Sequence, residues 1–223
     1  MTMEKMYHTQ VKYNNYHHLL TFREIIEVHE VEEEEEATQG AFLSTLENFN
    51  EKHLSIINEA TGIRAVYQND TRVYLASDEL NGKFELRECN GNYQLKVKVS
   101  DVIERFRLAI EGKVKRDVGF YSKNPTPQFL YCFINTFNDG SLSVLKDTVE
   151  STLKLSDLRD RYFKTTVVLK SGLIKFDPLK KKYTWSLNVF GIKLVTPTEE
   201  EISSIKKNDF NSYGQGIRFC KVL

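Results

Sequence analysis

The alternation of apolar and polar residues between Lys182 and Val189 constrains the fold more than any other stretch of this sequence. In an extended strand, successive side chains point to opposite faces, so every second residue shares a face. One face of this stretch carries Tyr183, Trp185, Leu187 and Val189. Upstream, the run 165–169 is rich in β-branched residues, and Ser171-Gly172 and Asp177-Pro178 are turn signals. The region therefore predicts an antiparallel meander with one buried face and one solvated face.

Helical periodicity is clearest between Phe42 and Ala60, where apolar residues recur every three or four positions before the stop signal Thr61-Gly62. A second helix is predicted from the capping pair Asp101-x-x-Glu104. Two more are predicted, one burying Leu142, Leu145, Val149 and Leu153, and one starting at Thr196-Pro197-Thr198-Glu199. Asn90-Gly91 predicts a tight hairpin. The predicted class is α+β, with antiparallel hairpins or meanders and three to four amphipathic helices.

These elements are expected to form two lobes of opposite charge. Residues 113–127 contain Asn124-Pro125-Thr126-Pro127, which is too stiff for a helix, and they predict a connector between lobes at 1–112 and 128–223. The net formal charge is +0, yet residues 1–100 hold 10 Lys and Arg against 17 Asp and Glu. Residues 101–223 hold the remaining 21 against 14. An acidic α+β lobe is thus followed by a basic one, unless the charges mingle on the folded surface.

The sequence lacks the motifs of several common classes. It has no Gly-rich phosphate loop, no Gly-x-Ser-x-Gly elbow, no His-Glu-x-x-His and no Cys-x-x-Cys. The widely spaced Cys89, Cys132 and Cys220 predict free thiols in a reducing compartment. No apolar run approaches the roughly 20 residues that cross a bilayer, and residues 1–6 lack a signal-peptide core. These features predict a cytoplasmic, host-cell or virion protein that uses no cofactor and contacts no membrane.

The leading hypothesis is a non-catalytic interaction or assembly subunit that docks on other protein subunits as a homo- or hetero-oligomer. Complementary charge between the two halves and the absence of catalytic motifs favour it. Residues 7–35 fit either strands or a helix. The acidic run after Val31 is assigned as a partner-binding segment: Glu32, Glu33, Glu34, Glu35 and Glu36. A richness in Lys, Asn, Ile, Tyr and Phe is compatible with a phage or viral origin.

An alternative is binding of single-stranded nucleic acid by the basic C-terminal sheet. Single-strand binders combine a basic surface with aromatic stacking platforms. The candidate phosphate contacts are Lys164, Lys170, Lys175, Lys180, Lys181, Lys182 and Lys193. Because Tyr183 and Trp185 share their face with Leu187 and Val189, we expect them to fill the core and leave the lysines outside.

A second alternative is a metal-dependent phosphodiesterase. Such enzymes hold Mg²⁺ with carboxylates and place a cationic side chain beside the phosphate. The nearest match is Asp70 followed by Glu85-Leu86-Arg87, although arginine stands where lysine is usual. All five histidines lie in the first 53 residues: His8, His17, His18, His29 and His53. Their spacing does not define a metal site.

Overall fold

The computed structural model describes residues 40–89, 92–121, 128–137 and 139–214. Within these ranges the protein is mostly β, with a single mixed sheet of 13 strands. The strands are β1 (Ala41–Leu43), β2 (Leu54–Glu59), β3 (Gly62–Tyr67), β4 (Val73–Ala76), β5 (Leu80–Lys83), β6 (Leu86–Cys89), β7 (Asn92–Lys98), β8 (Val118–Phe120), β9 (Phe129–Ile134), β10 (Ser141–Lys146), β11 (Val149–Lys154), β12 (Tyr162–Asp177) and β13 (Lys182–Val195). The described α-helices are α1 (Asp101–Val114), α2 (Leu155–Leu158) and α3 (Glu199–Gly214).

A long antiparallel hairpin, β12 with β13, is the spine of the sheet. Along its other edge, β12 pairs in an antiparallel sense with β5, β4 and β3 in turn. β13 pairs in a parallel sense with β8, β9 and β10. β7 then adds to β9, and β6 adds to β7. The spine therefore organises strands from both ends of the described chain into one layer.

The larger hydrophobic cluster lies on one face of this sheet, which we call the inner face, and a small cluster of Tyr74, Val168 and Phe190 is buried on the opposite face. Trp185 is fully buried on the inner face, and Leu187 and Val189 belong to the same cluster, with Tyr183 packed against it. The sequence prediction that these four side chains point inward together is confirmed. Helix α1 covers the inner face, burying Val102, Ile103, Phe106, Ala109 and Ile110. The Phe106 ring stacks on Trp185 with centroids 5.4 Å apart.

The predicted α+β class, with antiparallel sheets and three to four amphipathic helices, is wrong. The segment 42–60 is not a helix, because Leu54 to Glu59 pair with β3 and the residues before them form two 3₁₀ turns. The Asn50 side chain accepts a hydrogen bond from the Lys52 N–H (3.1 Å), a local contact that favours a turn over a helix. Pairing with a distant strand thus overrides the helical spacing of the apolar residues.

The helix predicted around Leu142 and Val149 is also wrong. These residues form the β10–β11 hairpin, in which Asp147 and Thr148 have φ values of 47° and 71°. Two successive positive φ values are typical of the two-residue turns that match strand twist. The apolar residues fit the spacing of a helix as well as that of two strands, and the turn at Asp147 and Thr148 favours the two strands.

Two predicted helices do exist, although their caps lie elsewhere. Ser100, not Asp101, is the N-cap of α1, and its hydroxyl accepts from the Ile103 N–H (3.4 Å). At α3 the capping box is Thr198 with Glu201: the Thr198 N–H donates to the Glu201 carboxylate (2.9 Å), and the Glu201 backbone N–H donates to the Thr198 hydroxyl (3.3 Å). The Thr196 hydroxyl donates instead to Asp147 (2.6 Å). The helix therefore begins about two residues later than its sequence suggests.

Strands from both predicted lobes pair within the one sheet, since β7 adjoins β9 and β12 adjoins β3, β4 and β5. The boundary at 113–127 stays a prediction.

The ambiguous segment 7–35, the acidic run and the closing strand expected at 217–222 lie outside the described residues. The strands on either side of Asn90-Gly91 do pair as a hairpin. Among the described helices, none is long and apolar enough to cross a membrane.

Ser171-Gly172 is not a turn, because β12 runs through it with a local shift in register against β13. A Cβ at position 172 would overlap the Ser186 hydroxyl and lie 3.0 Å from the Ser186 carbonyl oxygen. The glycine is thus required by close approach of the two spine strands.

We expect Gly172→Ala to lower the free energy of unfolding by about 1–3 kcal/mol, because overpacking forces the strands apart. Urea unfolding followed by circular dichroism measures it. Gly112→Ala in α1 is the matched control: its Cβ would meet nothing within 4 Å, so it should stabilise by about 0.5–1 kcal/mol. Equal effects from both substitutions would contradict the close approach at Gly172.

Candidate functional site

The face of the sheet opposite the core, which we call the outer face, carries a row of polar and aromatic side chains. Strand registers align one residue from each of five neighbouring strands: Lys170 (β12), Asn188 (β13), Phe133 (β9), Gln94 (β7) and Arg87 (β6). Each lies one position away from inner-face residues such as Leu169, Leu187 and Leu95. We call these five residues the outer row.

The outer row follows from short local patterns. In β9 the residues at 130, 132 and 134 are in the core, so Phe129, Tyr131 and Phe133 point to the outer face. In β7 the core residues Leu95 and Val97 leave Gln94 and Lys96 on the outer face. Because β9 joins β13 at Asn188 and joins β7 at Gln94, the aromatic residues of β9 lie between polar residues of both neighbours.

The structure brings most of the predicted lysines to this face. Five of the seven alternate with core residues of the spine and so share the outer face: Lys164, Lys170, Lys175, Lys182 and Lys193. The other two, Lys180 and Lys181, lie in the turn between the spine strands. Lys164 pairs with Glu201 (2.5 Å) and Lys180 with Asp177 (3.7 Å). These two carry less free charge than the sequence suggests.

Several cations on the outer face or in the turn between the spine strands form no direct ion pair with any carboxylate of the described residues. They are Arg87, Lys170, Lys175, Lys181 and Lys182. Lysine side chains that are not neutralised locally attract phosphate and release counterions on contact. These five side chains therefore provide a positive surface, which we call the cationic set.

Aromatic rings flank the cations. Tyr121, which is 55% exposed, stacks on Phe133 with ring centroids 6.5 Å apart and an interplanar angle of 27°. The Arg87 guanidinium lies 3.4 Å from the centre of the Tyr131 ring, and Lys96 lies 4.8 Å from that of Phe129. Such contacts hold a cation over an aromatic face. The exposed Tyr121 ring is thus available as a stacking surface beside Phe133.

Glu85 organises this part of the face. Its carboxylate accepts from Lys96 (2.9 Å) and from the Tyr131 hydroxyl (2.5 Å). Burial raises the pKa of Glu85, but these hydrogen bonds, with the charges of Lys96 and Arg87, outweigh it and lower the pKa below its usual value. Glu85 is therefore ionised at neutral pH, and it fixes the Tyr131 ring on which Arg87 stacks.

No family model, curated protein or solved structure matches this chain. The geometry of the outer face and of the other candidate sites is therefore what bears on function.

The residues proposed for metal chemistry have other contacts. The Asp70 carboxylate accepts from the Arg72 backbone N–H (2.7 Å), and the Glu85 carboxylate accepts from Lys96 and Tyr131. His53 is exposed in a 3₁₀ turn and packs against Tyr67, with ring centroids 6.1 Å apart, whereas the other four histidines lie outside the described residues. Within the described ranges, no three His, Cys, Asp or Glu side chains come together as a metal site would need. Burial raises the pKa of Cys132 to about 12, so this thiol stays protonated.

Sequence reasoning found the lysines and the inward direction of Tyr183 and Trp185. It named Arg87 only within the phosphodiesterase hypothesis, and it missed Tyr121 and Phe133. The alternation within 129–134 was a usable signal for Phe133, because in a strand it puts Phe129, Tyr131 and Phe133 on one face and the residues between them on the other. No sequence signal places Arg87 or Tyr121 beside them. Their positions depend on the register of β6, β7 and β8 in the sheet.

Proposed function

We propose that this protein binds single-stranded nucleic acid on the outer face of its sheet. The observation that supports the proposal is the outer row, in which Lys170, Phe133 and Arg87 lie on one line across five hydrogen-bonded strands. Neighbouring strands are about 4.8 Å apart, so four steps give a line of roughly 19 Å. That is long enough to contact several nucleotides of one strand.

The chemistry of the face divides into two parts. The cationic set contacts phosphates, which gives affinity without reading sequence. Tyr121 and Phe133 offer ring surface for stacking of unpaired bases, which a duplex keeps inside its own stack. Asn188, exposed between Lys170 and Phe133, adds an amide that can hydrogen-bond a base edge. We therefore expect a preference for single strands over duplexes and little sequence specificity.

A salt titration tests the proposal. A fluorescently labelled oligo(dT) should bind with micromolar affinity at low salt, and the logarithm of its binding constant should fall linearly with the logarithm of salt concentration. Five phosphate contacts, one for each member of the cationic set, predict a slope of about −3.5, since each single-strand contact contributes about −0.7. A duplex of equal length is the control and should bind more weakly. Absence of binding at low salt would overturn the proposal.

The role of assembly subunit is the second candidate. One observation favours it: β11 is hydrogen-bonded to β10 on one side, and no described strand pairs with its other side. An open strand edge is a site where another chain can add. The acidic run that we assigned to partner binding lies outside the described residues and stays a prediction.

A further inference from the structure

The open edge of β11 has features that identify what can pair with it. Val149 is 63% exposed, and Glu150, Thr152 and Lys154 are exposed as well. The strand contains no proline, and its register with β10 has no bulge, so two common devices that protect a strand edge are missing from it. Among the described residues, this edge is ready to accept another strand.

The hairpin geometry shows which backbone groups point outward. In the β10–β11 turn, the closing pair is Lys146 with Val149, and such a pair is hydrogen-bonded. Hydrogen-bonded and non-hydrogen-bonded pairs then alternate along an antiparallel ladder. The Leu155 N–H donates to the Gly140 carbonyl (3.2 Å), which confirms that the backbone N–H and C=O groups of the odd-numbered residues point toward β10. The N–H and C=O groups of Glu150, Thr152 and Lys154 therefore point away from β10.

We propose that β11 pairs with β11 of a second copy of this chain, in an antiparallel sense about a two-fold axis through Thr152. In this register Thr152 lies opposite its own copy, and Glu150 of each chain lies opposite Lys154 of the other. The three outward-facing residues then exchange six backbone hydrogen bonds. Both Glu–Lys pairs are cross-strand neighbours of opposite charge, which stabilises an antiparallel ladder.

Neighbouring registers are less favourable. An axis through Glu150 or Lys154 would put like charges directly opposite each other, which is destabilising. An axis through Ser151 or Leu153 would leave the charges of Glu150 and Lys154 unmatched across the interface. Only the axis through Thr152 satisfies both charges and all the outward backbone groups, and two-fold pairing of one surface with itself is the commonest form of oligomer.

The inference is independent of nucleic-acid binding, and it gives the assembly role a partner and a register. A contact of one short strand is small, so we expect association in the micromolar range or weaker.

Light scattering after size exclusion should show a mass that approaches twice 26.0 kDa as protein concentration rises. Glu150→Lys should raise the dissociation constant about 10-fold or more, because it creates two like-charge pairs. The swap Glu150→Lys with Lys154→Glu should restore dimerisation.

Disulfide trapping tests the register even where the dimer is weak. Hydrogen-bonded antiparallel partners have Cα atoms about 5.5 Å apart, within disulfide range. In a background with Cys89 and Cys220 changed to serine, Thr152→Cys should form a covalent dimer under mild oxidation. Glu150→Cys should not, because its copy lies four residues along the ladder, about 13 Å away. If Thr152→Cys stays monomeric, or both variants cross-link equally, the proposal is wrong. Binding of oligo(dT) by Glu150→Lys should match that of the wild type, which separates this outcome from failure of the proposed function.

Discussion

Changing Lys170, Lys175 and Lys182 together to glutamate is expected to weaken binding of oligo(dT) roughly 10²–10³-fold near 0.1 M salt. All three belong to the cationic set, and they lie on the outer face along the spine hairpin. Each reversal removes one phosphate contact and adds a repulsive charge. The slope of the salt dependence should become shallower by about 2, since three contacts at about 0.7 each are lost. Fluorescence anisotropy at several salt concentrations measures both quantities.

A matched control separates this effect from net charge. Lys52, Lys113 and Arg116 are exposed, and none lies in a strand of the sheet. Changing all three to glutamate alters the net charge by the same amount, so long-range attraction falls equally. We expect this control to weaken binding less than 10-fold and to leave the salt slope within about 0.5 of the wild-type value. Equal losses in the two triple variants would show that binding does not involve the outer face.

The sequence predicted the parts of the fold that depend on a long, regular pattern. Tyr183, Trp185, Leu187 and Val189 alternate with polar residues over most of a strand, and burying one face requires that register. Their inward direction follows from the pattern alone. The turn at Asp177-Pro178 was predicted for a similar local reason, since the Asp177 carboxylate accepts from the Leu179 N–H (3.0 Å).

The errors have a common physical cause. Around Phe42–Ala60 and Leu142–Leu153, apolar residues occur at spacings that suit either a helix or two short strands. The choice is made by partners that are distant in sequence or by the turn: Asp147 and Thr148 adopt positive φ, which closes a hairpin. The combination of parallel and antiparallel pairs in the sheet also depends on partners that are distant in sequence. The parallel partners of β13 are segments whose own patterns say nothing about their direction.

The candidate site was half predictable. Lysines that alternate with core residues in the spine must lie on the outer face once the direction of Trp185 is known. Lys164 shows the limit of that reasoning, because α3 folds back to neutralise it with Glu201. Arg87 and Phe133 fall in one row with Lys170 only through β7 and β9, and β9 joins the spine at a single register pair, Asn188 with Phe133. Such an assembly cannot be read from any one segment.

Trp185→Ala is expected to lower the free energy of unfolding by about 3–5 kcal/mol, as is typical when a large aromatic side chain is removed from a packed core. Trp185 is 0% exposed and lies between Phe106 and Phe120, with ring centroids 5.4 and 5.9 Å away. Its indole N–H donates to the Ser171 hydroxyl (3.0 Å), so the substitution also leaves a buried hydroxyl without its donor. A domain of this size is stable by about 5–15 kcal/mol, so the loss removes a large share of its stability.

Urea unfolding measures the change. It is followed by circular dichroism rather than tryptophan fluorescence, because the variant lacks the only tryptophan of the chain. Trp185→Phe keeps a ring between Phe106 and Phe120, so its cost should be smaller, about 1–2 kcal/mol. Phe176→Ala is the matched control: its ring is 55% exposed at the end of β12, and we expect a change of less than about 1 kcal/mol. If Trp185→Ala cost no more than Phe176→Ala, the inner face would not be the core on which the sheet is built, and the lysines opposite it would lose their assigned direction.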